Sequence, residues 1–116
     1  MRVHYHELSA HLTDIESSAS RVELLGFDGY AAREFHSDPL QQLILAARAT
    51  DRITLGSRVL FAFPRSPMLV AYQSWFLQEY SGGRLRLGVG TSVKAQIESR
   101  FSSAWPAGGG GIRDYI

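Results

Sequence analysis

Apolar residues recur along this chain at two alternating spacings. They fall at every second position over short runs and at every third or fourth over longer ones, as expected of strands alternating with helices. "VHYHEL" reads as a first strand and "LTDIESSASRVELLG" as a helix. In that helix Leu12, Ile15, Ala19, Val22 and Leu25 share a face, Thr13 and Glu16 have capping-box spacing, and Gly26 stands at the stop. "FDGYAARE" is a second strand. In "SDPLQQLILAARATD" Asp38 is the expected N-cap, with Pro39 in the first turn and Gln41 completing the cap. Leu40, Leu43, Ile44 and Ala47 form its buried stripe. "RITLGSRVLFAF" predicts a third strand with Ile53, Leu55, Val59, Phe61 and Phe63 on one side. "RSPMLVAYQSWFLQEYSGG" predicts a helix entered through Ser66 and Pro67, whose inner face is Met68, Ala71, Tyr72, Trp75 and Phe76. In "SGGRLRLGVGT" Leu85, Leu87 and Val89 alternate with Arg84, Arg86 and Gly88 as a fourth strand.

Strands separated by single helices pair in parallel through right-handed crossovers. A strand–helix unit repeated in this way fits a doubly wound sheet or a (β/α)8 TIM barrel, of which four units are half. The tail "AWPAGGGGIRDYI" departs from the pattern. Its glycines predict a flexible segment over 106–111, and Ile112, Tyr115 and Ile116 begin a stripe too short to hold a helix alone. The pattern reads as breaking off inside a fourth helix, so residues 1–116 are expected to form the N-terminal half of a larger, truncated barrel domain.

Composition narrows the function. The chain is 45% hydrophobic and 20% charged with a net charge of +1, the balance of a soluble globular protein. Its twelve Lys and Arg residues are dispersed, which argues against nucleic acid as a partner. No apolar run approaches the ~20 residues that span a bilayer, and the N-terminus lacks a signal-peptide core. The absence of cysteine removes disulfides and thiolate chemistry and fits a cytoplasmic protein.

Several constellations offer chemistry. Gly88-Val89-Gly90 resembles the start of a dinucleotide fingerprint, but the third position is Val93 and no acidic ribose clamp follows, so Gly88 reads as a packing glycine. His4 and His6 project from one strand face as in metal-dependent barrel hydrolases, yet further ligands are wanting, and no metal is assigned. Glu34 and His36 close the second strand on the side where barrel chemistry sits, as a hydrogen-bond acceptor and a proton shuttle. Arg65 either steers an anion or caps a carbonyl. Phe61, Ala62 and Phe63 make an apolar wall. Gly90 and Thr91 leave the fourth strand end bare, as a planar ring lying on backbone would require.

The ordered series "ELLGFDGY", "EFHSDPLQQLILAARATDRITLGSRV", "AFPRSPMLVAYQ" and "SGGRLRLGVGT" resembles the luciferase-like flavin and deazaflavin oxidoreductases over nearly all of the chain. The run "VKAQIESRFSSAWP" followed by "IRDYI" is most similar to their deazaflavin-dependent branch. The resemblance implies a (β/α)8 barrel binding the deazaflavin coenzyme F-420, or alternatively FMN, over the strand ends. It implies hydride transfer to or from a small organic substrate, or oxygenation. It places Leu60, Phe61 and Ala62, with a cis non-prolyl peptide, and Gly90 and Thr91 beside the ring, and matches Glu34 to the family's acidic residue. Ser37 stands where histidine is common, with His36 one place earlier. The alternative is a non-catalytic half-barrel that assembles with itself, as a homo-oligomer, or with a separate C-terminal half.

Overall fold

The computed structural model describes residues 1–7, 11–106 and 111–116. Along the chain, β1 (His4–His6) leads through one 3-10 turn (Leu12–Asp14) to α1 (Ile15–Leu24) and β2 (Gly29–Ala32). Then come α2 (Pro39–Arg48), β3 (Thr54–Ser57), β4 (Leu60–Phe61) and α3 (Pro67–Tyr80). The remainder is β5 (Leu85–Arg86), β6 (Val89–Gly90), α4 (Lys94–Phe101) and α5 (Gly111–Tyr115). β1, β2, β3 and β5 form one parallel sheet in that order, and β4 pairs in parallel with β6. The architecture is thus α/β with parallel strands, as the alternating spacings predict.

The pleat sends Tyr30, Ala32, Leu55 and Leu85 outward to the helices. There they meet Ile15, Ala19 and Val22 of α1, Leu40, Leu43, Ala46 and Ala47 of α2, and Val70 and Leu77 of α3. The opposite, inner face carries His4, Gly29, Ala31, Thr54, Gly56 and Arg86 in register. A side chain at Gly29 would collide with the His4 imidazole and the Thr54 hydroxyl, so glycine is the residue this layer admits.

Two polar staples close the end of the sheet opposite the site described below. Glu23 accepts hydrogen bonds from the backbone N–H groups of Asp51, Arg52 and Ile53 at 2.8–3.2 Å. Arg84 donates to the carbonyls of Ala47, Thr50, Ile53 and Ser81 and to the Thr50 hydroxyl. It thereby satisfies carbonyls at the C-terminal end of α2 that have no partner within the helix. α1 ends as its sequence predicts: Gly26 has φ +84°, and the N–H groups of Gly26 and Phe27 return to the carbonyls of Glu23 and Val22, a Schellman stop.

Several expectations are corrected. The capping box does not form: Thr13 Oγ1 contacts Asp14 and Glu16 pairs with Arg48, because a 3-10 turn moves the start of α1 to Ile15. At α2 Asp38 does cap, accepting from Leu40 N at 2.8 Å behind Pro39, but no cap bond from Gln41 is present among the described residues. The third strand is broken between Ser57 and Leu60, and the buried parity changes across the break. Ile53 and Leu55 are buried before it; Leu60 and Ala62 are buried after it, while Val59 is exposed. The fourth strand breaks likewise, leaving Leu87 exposed. The cis peptide lies between Arg58 and Val59, ahead of the Leu60–Ala62 position that the resemblance implies.

α3 is turned relative to its expected orientation. Val70 and Leu77 are its buried residues, and Met68, Tyr72, Trp75 and Phe76 are all more than half exposed. A helix apolar on every side carries no stripe from which its inner face can be read. Gly111–Tyr115 is helical despite its length, with Tyr115 packed on the core, so tertiary contact supplies what five residues lack alone. The flexible segment expected over 106–111 falls mostly on residues 107–110, outside the described residues.

The Glu23 staple generates a pH prediction. Burial by itself would raise the carboxyl's pKa, but the three backbone hydrogen bonds and the Arg52 charge lower it below its ordinary 4.5. A depressed folded-state pKa contributes stability that is present above 4.5 and lost as pH falls through the folded value. Glu23→Gln is therefore expected to unfold at lower urea than the parent at pH 7, with the gap closing below pH ~4, as measured by circular dichroism.

Candidate functional site

Parallel strands place their C-terminal ends together, and the connections that leave those ends converge. Two such connections are joined by one guanidinium. Glu34, two residues beyond β2, is buried, and Arg65 Nη1 lies 2.8 Å from both of its carboxylate oxygens. Nη2 of Arg65 donates to Asp38 at 2.8 Å while the other Asp38 oxygen caps α2. Nη1 also donates to the carbonyl of Phe61 at 2.9 Å, and the Phe61 N–H donates to Glu34 at 2.7 Å. Both backbone polar groups of Phe61 are thus held by this ion cluster. Burial alone would lower the Arg65 pKa, but the hydrogen bonds to Asp38 and Glu34 outweigh it and raise the value. Of the two roles considered for Arg65, capping a carbonyl is the one its geometry serves.

Beside this clamp, β4 and β6 pair through Leu60 opposite Val89 and Phe61 opposite Gly90. Leu60 N donates to Gly88 O and Ala62 N to Gly90 O. Where the longer strands break, the Ser57 hydroxyl bridges them, accepting from Gly88 N and donating to Gly88 O, both at 2.9 Å. The structure therefore brings together Glu34, Leu60, Phe61, Ala62, Gly90 and Thr91. Leu60 and Ala62 are fully buried; Phe61, Gly90 and Thr91 are half-buried. Thr91 donates to the Ser92 carbonyl. His36 stands apart, exposed on the loop with its ring edge against Phe35 at 4.4 Å.

Neither glycine of Gly88-Val89-Gly90 opens onto empty space. A Cβ at Gly88 would strike the Ser57 carbonyl, and one at Gly90 would lie 2.6 Å from a Val59 methyl. The packing role expected of Gly88 is what the geometry shows. At Gly90 the side chain that occupies the missing Cβ's place is Val59, so this glycine too is explained by packing within the protein.

The segment after β6 folds back over these strand ends. Phe101 meets Phe61 edge-on at 6.2 Å, and Trp105 meets Phe63 at 5.0 Å. Arg100 donates to the Phe35 carbonyl, and the guanidinium groups of Arg33 and Arg100 lie 5.1 and 5.9 Å from the Phe35 ring. Tyr115 approaches Arg65; burial raises its phenol pKa against the opposing effect of that charge, and its buried hydroxyl has no hydrogen-bond partner among the described residues. Phe101, Trp105 and Tyr115 were missed by sequence reasoning. They reach the site from 40 or more residues away, and no local spacing marks them. Asp38 was read only as a cap. His4 and His6 share the inner sheet face, and no group of three or more potential metal ligands occurs among the described residues. No helix there is long and apolar enough to cross a membrane.

The profile of the family described as luciferase-like monooxygenase matches residues 1–116. An uncharacterized protein of Mycobacterium tuberculosis is 43% identical over 99 residues, which are 85% of this chain and 29% of that protein. A second protein of that organism, named as a coenzyme F-420-dependent oxidoreductase, is 32% identical over 96 residues, 82% of this chain and 28% of its own. This chain therefore spans under a third of the length of the curated relatives it matches. The oxygenating constituent of 3,6-diketocamphane monooxygenase of Pseudomonas putida, solved in complex with FMN, superposes with a TM-score of 0.79 at 18% identity. That match covers all of this chain and 37% of the solved one. The solved structures it resembles are TIM barrels, of which this chain corresponds to a part.

Two predictions follow from the geometry. Arg65→Met leaves two facing carboxylates and an unpaired Phe61 carbonyl, and is expected to cost roughly 3 kcal/mol; Glu34→Gln costs less, because Asp38 still holds the guanidinium. Urea unfolding of both variants measures the difference. Gly90→Ala is expected to destabilise by ~1–3 kcal/mol, and adding Val59→Ala to recover most of that loss, a non-additive pair that thermal melts would show.

Proposed function

The chain belongs to the luciferase-like monooxygenase family, and on that premise we propose that it forms part of a barrel oxidoreductase. In this reading the mouth takes the deazaflavin coenzyme F-420, with FMN as the alternative, and exchanges a hydride with a small organic substrate. The observation that carries the reading is the convergence of Glu34, Leu60–Ala62 and Gly90–Thr91 at one end of the parallel strands, braced by Arg65.

The donor set suits one part of such a cofactor. The half-buried rings of Phe61, Phe63 and Trp105, with the Thr91 hydroxyl, fit a planar ring with one polar edge. A phosphate would need an uncommitted cation, and Arg65 is saturated by two carboxylates. When bound, the cofactor supplies the two-electron chemistry.

This chain's own residues position and exclude. Glu34 acts as a positioning residue: both of its oxygens are engaged by Arg65 and the Phe61 N–H, so it sets the height of the β4 tip. The wall of Leu60, Phe61 and Ala62 excludes water. His36, exposed at the rim, exchanges a proton with solvent or substrate. The named relative and the FMN-bound neighbour support this reading without choosing between the two cofactors.

Titration of the protein with coenzyme F-420 and with FMN, followed by fluorescence, tests the proposal. Saturable quenching by one of them is expected, weakened roughly tenfold or more by Phe61→Ala through loss of aromatic contact. Absence of saturable quenching by either removes the reading.

A further inference from the structure

The inner face of the four-stranded sheet differs from a filled barrel interior. Such interiors are packed mainly by Val, Ile and Leu, yet none stands among His4, Gly29, Ala31, Thr54, Gly56 and Arg86, which occupy its inward positions. Against this face lies a pocket of about 440 Å³ lined by His4, Thr54, Ser57, Arg58 and Arg86, with Gly56 in its floor. No carboxylate lines it, and neither guanidinium forms an ion pair among the described residues. We propose that this pocket binds the oxyanion group, carboxylate or phosphate, of a small organic anion.

Two independent observations point to such a ligand. The first is charge. The hydroxyls of Thr54 and Ser57 are committed to the carbonyls of Asp28 and Gly88, so the pocket's donors are its two guanidiniums and the His4 imidazole. Arg86 is anchored through Nη1 to the carbonyls of Gly83 and Leu85, which hold the side chain in place and leave its charge unneutralised. A guanidinium fork matches the oxygens of a carboxylate or phosphate.

The second is Gly56. A Cβ at Gly29, Gly88 or Gly90 would collide with a neighbour, so packing within the chain requires those glycines. At Gly56 a Cβ would meet only the Arg86 carbonyl at 3.7 Å, an ordinary contact, and its φ is not positive. Glycine inside a strand weakens it and marks a place where something approaches the backbone closely. Nothing within the chain approaches Gly56 in that way, and the pocket lies directly over it. Val59 and Gly88 also line the pocket and border the β4–β6 tip. The bound anion is therefore the acidic end of the substrate, an identification that rests on the proposed function, whereas the anion site itself does not.

Isothermal titration calorimetry of malonate and of inorganic phosphate into the protein, at fixed ionic strength and without cofactor, is the test. Saturable binding at millimolar concentrations is expected; malonate alone would identify a carboxylate site and phosphate alone a phosphoryl site. Arg58→Met and Arg86→Met are each expected to weaken binding roughly tenfold or more. Lys94→Met, which removes an exposed positive charge outside the pocket, is expected to leave it unchanged. Gly56→Val is expected to abolish binding without lowering the urea midpoint, since a β-branched residue suits a strand. Gly56→Ala adds a single carbon, is expected to weaken binding severalfold, and decides the matter if the valine variant fails to fold. Absence of saturable binding of both anions overturns the proposal. So does binding that both Gly56 variants leave intact, and so does a loss in Lys94→Met equal to that in the arginine variants. A protein that binds anions in this way but quenches neither coenzyme F-420 nor FMN keeps the anion site and loses only the redox reading.

Discussion

A single guanidinium shared between two carboxylates ties together two connections of this sheet. Arg65 leaves the loop after β4, reaches Glu34 beyond β2 and Asp38 at the head of α2, and returns one hydrogen bond to the Phe61 carbonyl. An ion cluster so removed from water stabilises little in net terms, because desolvation offsets much of the attraction. What it supplies is uniqueness: both carboxylates and the backbone of Phe61 are fixed relative to one planar group. The β4 tip, the cap of α2 and the exit of β2 therefore move as one unit. The candidate site is assembled on that unit.

Beside it, the two broken strands show how a barrel re-aims its backbone. The Ser57 hydroxyl takes both polar groups of Gly88, replacing a ladder rung at the point where the buried parity shifts. Val59 then swings into the space that Gly90 leaves open. Such a glycine looks, in sequence, like room for a ligand; in three dimensions it is room for a valine. The apolar surface at this end is side-chain aromatic, from Phe61, Phe63 and Trp105. The small residue at position 90 is thus accounted for by packing within the chain.

Much of the fold is legible from spacing alone. Asp38 before Pro39, Gly26 after Leu25 and the alternation through Ile53 and Leu55 each state a local geometry that the chain adopts, because caps, stops and pleats are set by neighbouring residues. Glu34 was legible as a site residue by its place after a strand, but its engagement was not, since its partner lies 31 positions away. The inner face of α3 was illegible for a different reason. A uniformly apolar helix is compatible with several rotations, and only the packing of Val70 and Leu77 against the sheet selects one.

What the amino-acid sequence by itself determined is the alternation of strands and helices and their parallel pairing. These depend on periodicity and on capping within a few residues. Only the tertiary structure decided which face of α3 is exposed, where the third and fourth strands break, and that Glu34 braces a peptide held by Arg65. Those outcomes depend on side chains far apart in sequence competing for one space or one charge, and no local pattern records the winner.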